Sequence, residues 1–191
     1  DLLADEEGFY NPYWYEAALT EDNVRYFGAR DLGNLEEMLR NYTVQAVARE
    51  PVELITYIVR NNRPFSEVAT ADYIVVNPFS ARAYGVGTEF SNDADPYEWR
   101  PAQIEGIPHA GFMTSIMWLN RHPTTPTNRN RHRARMVFYD LLGSDILKTA
   151  ERPVDPTKIT DHNPTMNNPT CTVCHAEMDP IAGLFQNYQA V

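Results

Sequence analysis

Two cysteines and a histidine near the C-terminal end are the residues whose spacing most clearly suggests chemistry. The chain contains only two cysteines, and both lie in the run Cys171-Thr172-Val173-Cys174-His175. This Cys-x-x-Cys-His spacing is the signature of covalent c-type haem attachment. Each thiol would form a thioether with one haem vinyl group, and His175 would bind the iron. The sequence therefore predicts one covalently bound haem c, with its iron, held by Cys171, Cys174 and His175.

Other uses of a closely spaced cysteine pair fit this sequence less well. A redox-active pair of the thioredoxin type belongs to a strand–helix–strand pattern, and no such pattern precedes Cys171. A zinc site needs three or four ligands, usually including a second cysteine pair, which this chain lacks. A structural disulfide would gain little stability from closing so short a loop. Haem attachment is the interpretation that uses all three residues.

The second axial ligand of the iron distinguishes two kinds of haem protein. A histidine or methionine is typical of an electron carrier, whereas an open position allows chemistry with oxygen or peroxide. We expect the ligand to come from residues 109–166. His122 is the first candidate, because it follows the apolar stretch 112–119 that could shield one haem face. The further candidates are, in order, His132, Met113, His162 and Met166.

An arginine cluster lies in an otherwise acidic chain. Its members are Arg121, Arg129, Arg131, Arg133 and Arg135. One interpretation is a solvated helix face. The other is that one or two of these side chains pair with the haem propionates, because a guanidinium binds a carboxylate through two parallel hydrogen bonds. On the second interpretation, Arg129 and Arg133 are the candidate haem-binding arginines.

Asp179-Pro180 follows the motif closely. We interpret this pair as a helix stop and turn, because proline disfavours a helical conformation at the residue before it. An acid–base role for Asp179 has no partner at a readable spacing in the sequence.

The elements that would position these residues are predicted to be mainly helical. Apolar residues at helical spacing predict a helix over 34–48, capped by Asn34, and a second helix that begins at Pro51 and ends at 61–62. A short helix is predicted to start at 66–67. Residues 73–76 could form a strand or a helix end, because periodicity cannot decide.

Further helices are predicted over 78–84, ended by Gly85, and over 133–142, ended by Gly143. The helix that carries the motif is expected to be interrupted at Pro180. The prediction is a mainly α fold of short helices and long loops, with a cytochrome-c-like haem region at the C-terminal end. Its parts are a helical, aromatic-rich segment at 1–85, a loop or linker at 86–110 and a haem-c-binding part at 111–191.

Charge and composition exclude some partners. The formal net charge is −10, which disfavours nucleic acid and is compatible with a basic redox partner. No apolar run approaches the roughly 18 residues of a membrane span, so no transmembrane segment is predicted. Residues 1–7 lack the pattern of a signal peptide, and the chain has no initiator methionine. We interpret it as a processed or partial chain, with any export signal upstream.

Three segments resemble planctomycete-type cytochrome c proteins, which are large exported multidomain bacterial proteins with a C-terminal Cys-x-x-Cys-His haem region. The segments lie at 53–78, 110–135 and 168–188, and the resemblance extends over roughly 45–191. Many members carry a histidine at the position of Ser115. The resemblance implies haem binding and export to the periplasm, the cell surface or the outside of the cell.

The expected function is that of an exported c-type cytochrome module. It would pass electrons to or from a redox partner protein, within a larger complex or a longer polypeptide. An electron carrier fits a single haem better than a catalyst does. Two alternatives stay open: a peroxidase- or oxygenase-like haem enzyme with an open distal site, and a structural or interaction domain stabilised by haem.

Overall fold

The computed structural model describes residues 9–148, 157, 159–160, 162–186 and 188. They form two compact units, one ending at Trp118 and the other beginning at Leu119. Helices dominate the described residues, so the prediction of a mainly α fold is confirmed. None of the helices in these ranges is long and apolar enough to cross a membrane. Residues 1–7, discussed above for their lack of a signal pattern, lie outside the described part of the chain.

The first unit combines helices with one small antiparallel sheet. Its elements are a 3-10 helix at Trp14–Ala18, the helices α1 (Glu21–Phe27), α2 (Leu32–Arg60), α3 (Glu67–Thr70) and α4 (Pro78–Ala83), and the strands β1 (Ile74–Val76) and β2 (Arg100–Ala102). A further helix, α5, spans Ile116–Arg121 and contains residues of both units.

Helix α2 begins earlier than its sequence predicts. The side chain of Asp31 accepts a hydrogen bond from the backbone N–H of Asn34 at 2.7 Å, and the Asn34 side chain accepts one from the N–H of Arg30 at 3.1 Å. Asp31 is therefore the cap, and Asn34 lies in the first turn. The prediction of Asn34 as the cap was wrong, because two polar residues three apart can each accept a backbone N–H.

Helix α2 also continues through Pro51, where the sequence predicts that a new helix begins. Proline inside a helix removes one backbone hydrogen bond and crowds the preceding turn. The helix is nevertheless one element, because its apolar stripe is buried on both sides of the proline. Leu39 and Val47 are buried before it, and Leu54 and Ile58 after it. Tertiary packing here outweighs the local preference.

Two apolar clusters stabilise the first unit. In one, the fully buried Phe79 of α4 packs with Leu35 and Leu39 of α2. In the other, Leu54 and Ile58 pack with residues that include Val75 of β1. The longest helix thus supplies both clusters and joins them along its length.

The segment predicted as a loop at 86–110 contains strand β2. Val75 pairs with Pro101 in the antiparallel register of β1 and β2. Residues 73–76, which the sequence left undecided, therefore contain a strand. A three-residue strand that includes a proline has no readable period, so this pairing could not be predicted. The short helix expected near 66–67 is present as α3, and the helix expected over 78–84 is present as α4, followed by Gly85 at φ +65°.

The second unit is built around two helices that pack against each other. Its described elements are α6 (Arg131–Leu142), a 3-10 helix at Ile146–Lys148, α7 (Pro164–Asn167) and α8 (Pro169–Gly183). Ala134 of α6 and Ile146 pack against Cys174, Met178 and Ala182 of α8. The predicted helix over 133–142 is confirmed, and Gly143 ends it at φ +64°.

Helix α8 is not interrupted at Pro180, contrary to the prediction. It continues to Gly183. Pro180 cannot donate to the carbonyl of Ala176, but only one turn of helix follows it. Met178 and Ala182 remain buried against the α6 side on either side of the proline. The uninterrupted helix fixes where Asp179 points, which matters for the site below.

Candidate functional site

The Cys-x-x-Cys-His motif lies entirely within helix α8. The side chain of Asn168 caps the helix by accepting a hydrogen bond from the N–H of Thr170 at 2.9 Å. Pro169 occupies the first helical position, where its missing N–H costs nothing. Because residues three and four apart lie on the same helix face, Cys171, Cys174 and His175 lie close together.

The two cysteines are free thiols in different surroundings. Cys171 is partly exposed, whereas Cys174 is buried. The thiol of Cys174 lies 3.4 Å from the carbonyl oxygen of Ile146, within the apolar cluster that also holds Ala134 and Met178. Neither sulfur is used in a disulfide, so both are chemically able to form a thioether. The apolar surroundings of Cys174 suit the edge of a porphyrin.

His175 is held by one of its two ring nitrogens. Nδ1 lies 3.0 Å from the Oδ1 atom of Asp179, one helical turn further along α8. An ionised carboxylate can only accept a hydrogen bond, so Nδ1 must carry the proton and donate it. Nε2 is then the nitrogen with a lone pair for a metal, and no hydrogen-bond partner of Nε2 is found among the described residues. The residues of the motif therefore fit a haem iron.

Asp179 is itself held by an arginine from the other helix of the unit. Nε of Arg131 donates to Oδ1 at 2.8 Å, and Nη2 donates to Oδ2 at 3.1 Å. Burial raises the pKa of the Asp179 carboxyl, but the hydrogen bonds from Arg131 and His175 outweigh burial and hold the pKa below its usual value. Asp179 is thus ionised at neutral pH. The three side chains form a continuous chain of hydrogen bonds, which we call the His175–Asp179–Arg131 relay.

The sequence interpretation missed the role of this aspartate. The sequence predicts a turn at Asp179, although this residue lies four residues after His175, where two helical side chains meet. That spacing was a readable signal, but the expected break at Pro180 hid it. The contribution of Arg131 could not be read from the sequence, because it comes from another helix 48 residues away.

The two arginines predicted to bind haem carboxylates have different positions. The Arg133 side chain is fully buried. It donates to the carbonyl oxygens of His122 at 2.8 Å and Leu119 at 3.2 Å, to the carbonyl of Tyr188, and to Oδ1 of Asn130 at 3.0 Å. Burial lowers the pKa of Arg133 to about 10, so the side chain stays charged at neutral pH. Nε, Nη1 and Nη2 of Arg133 are therefore all engaged in hydrogen bonds within the second unit.

Arg129, in contrast, is exposed and lines a pocket of about 700 Å³ beside the relay. The wall of this pocket also includes Arg131 and Asp179, together with Ala182 and Gly183 from the last turns of α8. Of the two predicted arginines, Arg129 is therefore the one that is exposed and could meet an anionic group near α8.

His122 and His132, the first two candidates for the second axial ligand, lie against each other. Nδ1 of His122 is 3.1 Å from Nε2 of His132. Burial lowers the pKa of His122, and the neighbouring His132 lowers it further. His132 follows Arg131 directly, so it lies about 100° around α6 from the side chain that contacts α8. The assignment of His122 to the iron stays a prediction.

The remaining candidates are spread over both units. Met113 belongs to the first unit. Met166 lies on α7 and, like His162, is exposed. Within the described ranges, no group of three or more histidine, cysteine, aspartate or glutamate side chains is arranged to hold a metal ion.

Comparisons with protein families, with curated proteins and with solved structures found no match to this chain. The function is therefore inferred from the chemistry and geometry of α8 and the side chains around it.

Proposed function

We propose that this chain is an exported c-type cytochrome module, which binds one haem c covalently through Cys171 and Cys174 and transfers electrons within a larger assembly. One observation carries the proposal. Helix α8 presents two free thiols and an imidazole on adjacent turns, and the Nδ1 atom of that imidazole is already hydrogen-bonded to Asp179. This arrangement leaves Nε2 of His175 for the iron.

Each part of the site would have a defined task. The haem would supply an iron that gains and loses one electron. Cys171 and Cys174 would hold the porphyrin, and His175 would hold the iron from one side. The apolar cluster around Cys174 would exclude water from the adjoining edge. Arg129, exposed beside the relay, would pair with a haem carboxylate.

The resemblance of three sequence segments to exported cytochromes supports a location in the periplasm, on the cell surface or outside the cell. Haem attachment by this motif occurs on the outer side of the bacterial inner membrane in the proteins that the chain resembles. The net charge of −10 would favour a redox partner with a positive contact surface, because complementary charge accelerates encounter.

The oxidised haem protein is expected to contain six-coordinate, low-spin iron. An electron carrier keeps a strong-field protein ligand on each side of the iron, so that little rearranges when the electron arrives. Optical and electron paramagnetic resonance spectra of the ferric protein measure the spin state directly. His122→Gln tests the first candidate for the second ligand, with Met166→Leu as a comparison.

A different spectrum would change the function. High-spin iron with water in the sixth position, which binds cyanide or carbon monoxide readily, would overturn the carrier proposal in favour of a haem enzyme. A low-spin spectrum that His122→Gln converts to high spin would identify His122 as the second ligand.

A further inference from the structure

We infer that Asp179 and Arg131 are positioning residues for the iron ligand, and that together they favour the ferric over the ferrous state of the haem. The inference rests on the proposed function, since it concerns the same iron site. It adds two residues, Asp179 and Arg131, that would contact neither the sulfurs of Cys171 and Cys174 nor the iron. It also predicts the direction in which they shift the equilibrium between ferric and ferrous haem.

The geometry of the relay fixes the ring of His175. An imidazole bound to a metal can rotate about its side-chain bonds unless its second nitrogen is held. Asp179 holds Nδ1 at 3.0 Å from one turn away on the same helix. The position of Asp179 is fixed in turn by two hydrogen bonds from Arg131 on α6. The ligand is therefore tied to both helices of the α6–α8 pair.

The uninterrupted course of α8 makes this contact possible. Proline disfavours a helical conformation at the residue before it, but Asp179 is helical here and therefore lies on the same face as His175. The side chains of His175, Asp179 and Arg131 are all partly buried, with exposed fractions of 20%, 30% and 27%. This partial burial reduces competition from water for their hydrogen bonds. Arg131 and Asp179 also form part of the wall of the 700 Å³ pocket.

The charge of Asp179 gives the relay its electronic effect. A hydrogen bond from Nδ1–H to a carboxylate makes the opposite nitrogen a stronger base, and a stronger base donates more electron density to the metal. Ferric iron carries one more positive charge than ferrous iron and gains more from this donation. Reduction, in which the iron takes up one electron, is therefore less favourable with the relay intact than without it.

The same helix pair provides a matched control. Arg135, one turn after Arg131 on α6, donates to both oxygens of Asp145 at 3.0 and 2.9 Å. This ion pair has the same two-point geometry as the pair between Arg131 and Asp179. Asp145 accepts hydrogen bonds from Arg135 and from a backbone N–H. Asp179 instead accepts them from Arg131 and from His175. Asp145→Asn thus removes an equivalent charge and leaves His175 untouched.

The test is a potentiometric titration of the haem protein and its Asp179→Asn and Asp145→Asn variants. Removal of the hydrogen-bond partner of a metal ligand changes metal affinity by about tenfold or more. We expect Asp179→Asn to shift the ferric-to-ferrous equilibrium about tenfold toward the ferrous form, which corresponds to about 59 mV for one electron. Asp145→Asn is expected to shift it less than about twofold, because Asp145 is hydrogen-bonded to Arg135 and to the N–H of Leu147 and not to His175.

Arg131→Gln allows a second, independent test. Its readout is the set of haem methyl resonances, which would not change if the pair of Arg131 and Asp179 only stabilised the fold. Without Arg131 the Asp179 carboxylate can rotate, so His175 is expected to adopt more than one ring orientation. The resonances of the ferric haem methyl groups should then split or broaden, whereas Arg135→Gln should leave them as in the parent protein.

The outcomes separate this inference from the function on which it rests. Haem that is absent from the denatured parent protein would overturn both. Covalent haem together with equal shifts in Asp179→Asn and Asp145→Asn would overturn the relay alone, because general charge removal would then explain the change. Covalent haem, no shift in Asp179→Asn and unchanged methyl resonances in Arg131→Gln would also overturn the relay alone.

Discussion

Replacement of Arg133 by glutamine is expected to lower the free energy of unfolding of the second unit by about 3–5 kcal/mol. The Arg133 side chain is fully buried and donates to the carbonyl groups of Leu119, His122 and Tyr188. A shorter, neutral side chain cannot reach all of them. Each buried carbonyl left without a donor costs about 1–3 kcal/mol.

Hydrogen exchange of the backbone amides in α6 and α8 measures this effect within the second unit. Arg121→Gln is the control, because Arg121 is an exposed member of the same arginine cluster and its loss is expected to cost less than about 0.5 kcal/mol. If these amides were equally well protected in Arg133→Gln and in Arg121→Gln, the buried hydrogen bonds of Arg133 would not stabilise this unit.

The stability of the first unit is expected to fall as the pH rises from about 6.5 to about 8, and Glu50→Gln should remove this fall. Below pH 6.5 the contribution of Glu50 is opposed by His109 of the same unit, whose pKa is lowered by burial to about 4. Glu50 of α2 is buried, and the Tyr84 hydroxyl donates to its Oε2 atom at 2.6 Å. Its Oε1 atom has no hydrogen-bond partner among the described residues. Burial raises the pKa of the Glu50 carboxyl to about 8, against a smaller lowering by the bond from Tyr84.

The direction follows from proton uptake in the two states. Between its ordinary pKa of 4.5 and about 8, Glu50 is protonated in the folded protein but ionised in the unfolded chain. The stabilisation is complete below the lower value, decreases by about 1.4 kcal/mol for each pH unit above it, and is lost once the pH has passed the folded pKa. From pH 4.5 to about 8 the total is on the order of 5 kcal/mol.

Urea unfolding followed by tryptophan fluorescence at several pH values measures this change, because Trp14, Trp99 and Trp118 all belong to the first unit. Glu50→Gln retains an acceptor for the Tyr84 hydroxyl and cannot ionise. Glu37→Gln, at an exposed position of the same helix, is expected to keep the parent pH dependence. A Glu50→Gln variant with the parent slope would show that another group is responsible.

The sequence alone predicts those features that depend on residues close together in the chain. The spacing of Cys171, Cys174 and His175 identifies a candidate haem site without any knowledge of the fold. Glycines at 85 and 143 marked helix ends correctly, because both adopt the left-handed conformation that other residues avoid. Helices α4 and α6 could therefore be located to within a residue or two.

Non-local contacts explain what the sequence did not predict. Pro51 and Pro180 were expected to limit helices, and both lie inside helices whose neighbouring apolar residues are buried. Arg133 is predicted to bind a haem carboxylate. It is instead buried and donates to the backbone carbonyl groups of His122 and Leu119, a contact that no pattern of residue types predicts. The partner of Asp179 on α6 depends on the packing of two helices that are distant in sequence.

The intact mass of the protein after denaturation and acid–acetone extraction tests the central claim most directly. The chain would be produced with an export signal and the machinery that attaches c-type haem, and would be purified from the periplasm. We expect the parent protein to keep the added mass of one haem, and a variant with both Cys171→Ser and Cys174→Ser to have the mass of the polypeptide alone. His175→Ala should keep the haem tethered by its thioethers but change its spectrum. A parent protein that retains no haem under these conditions would contradict the assignment of Cys171, Cys174 and His175 as a c-type haem site.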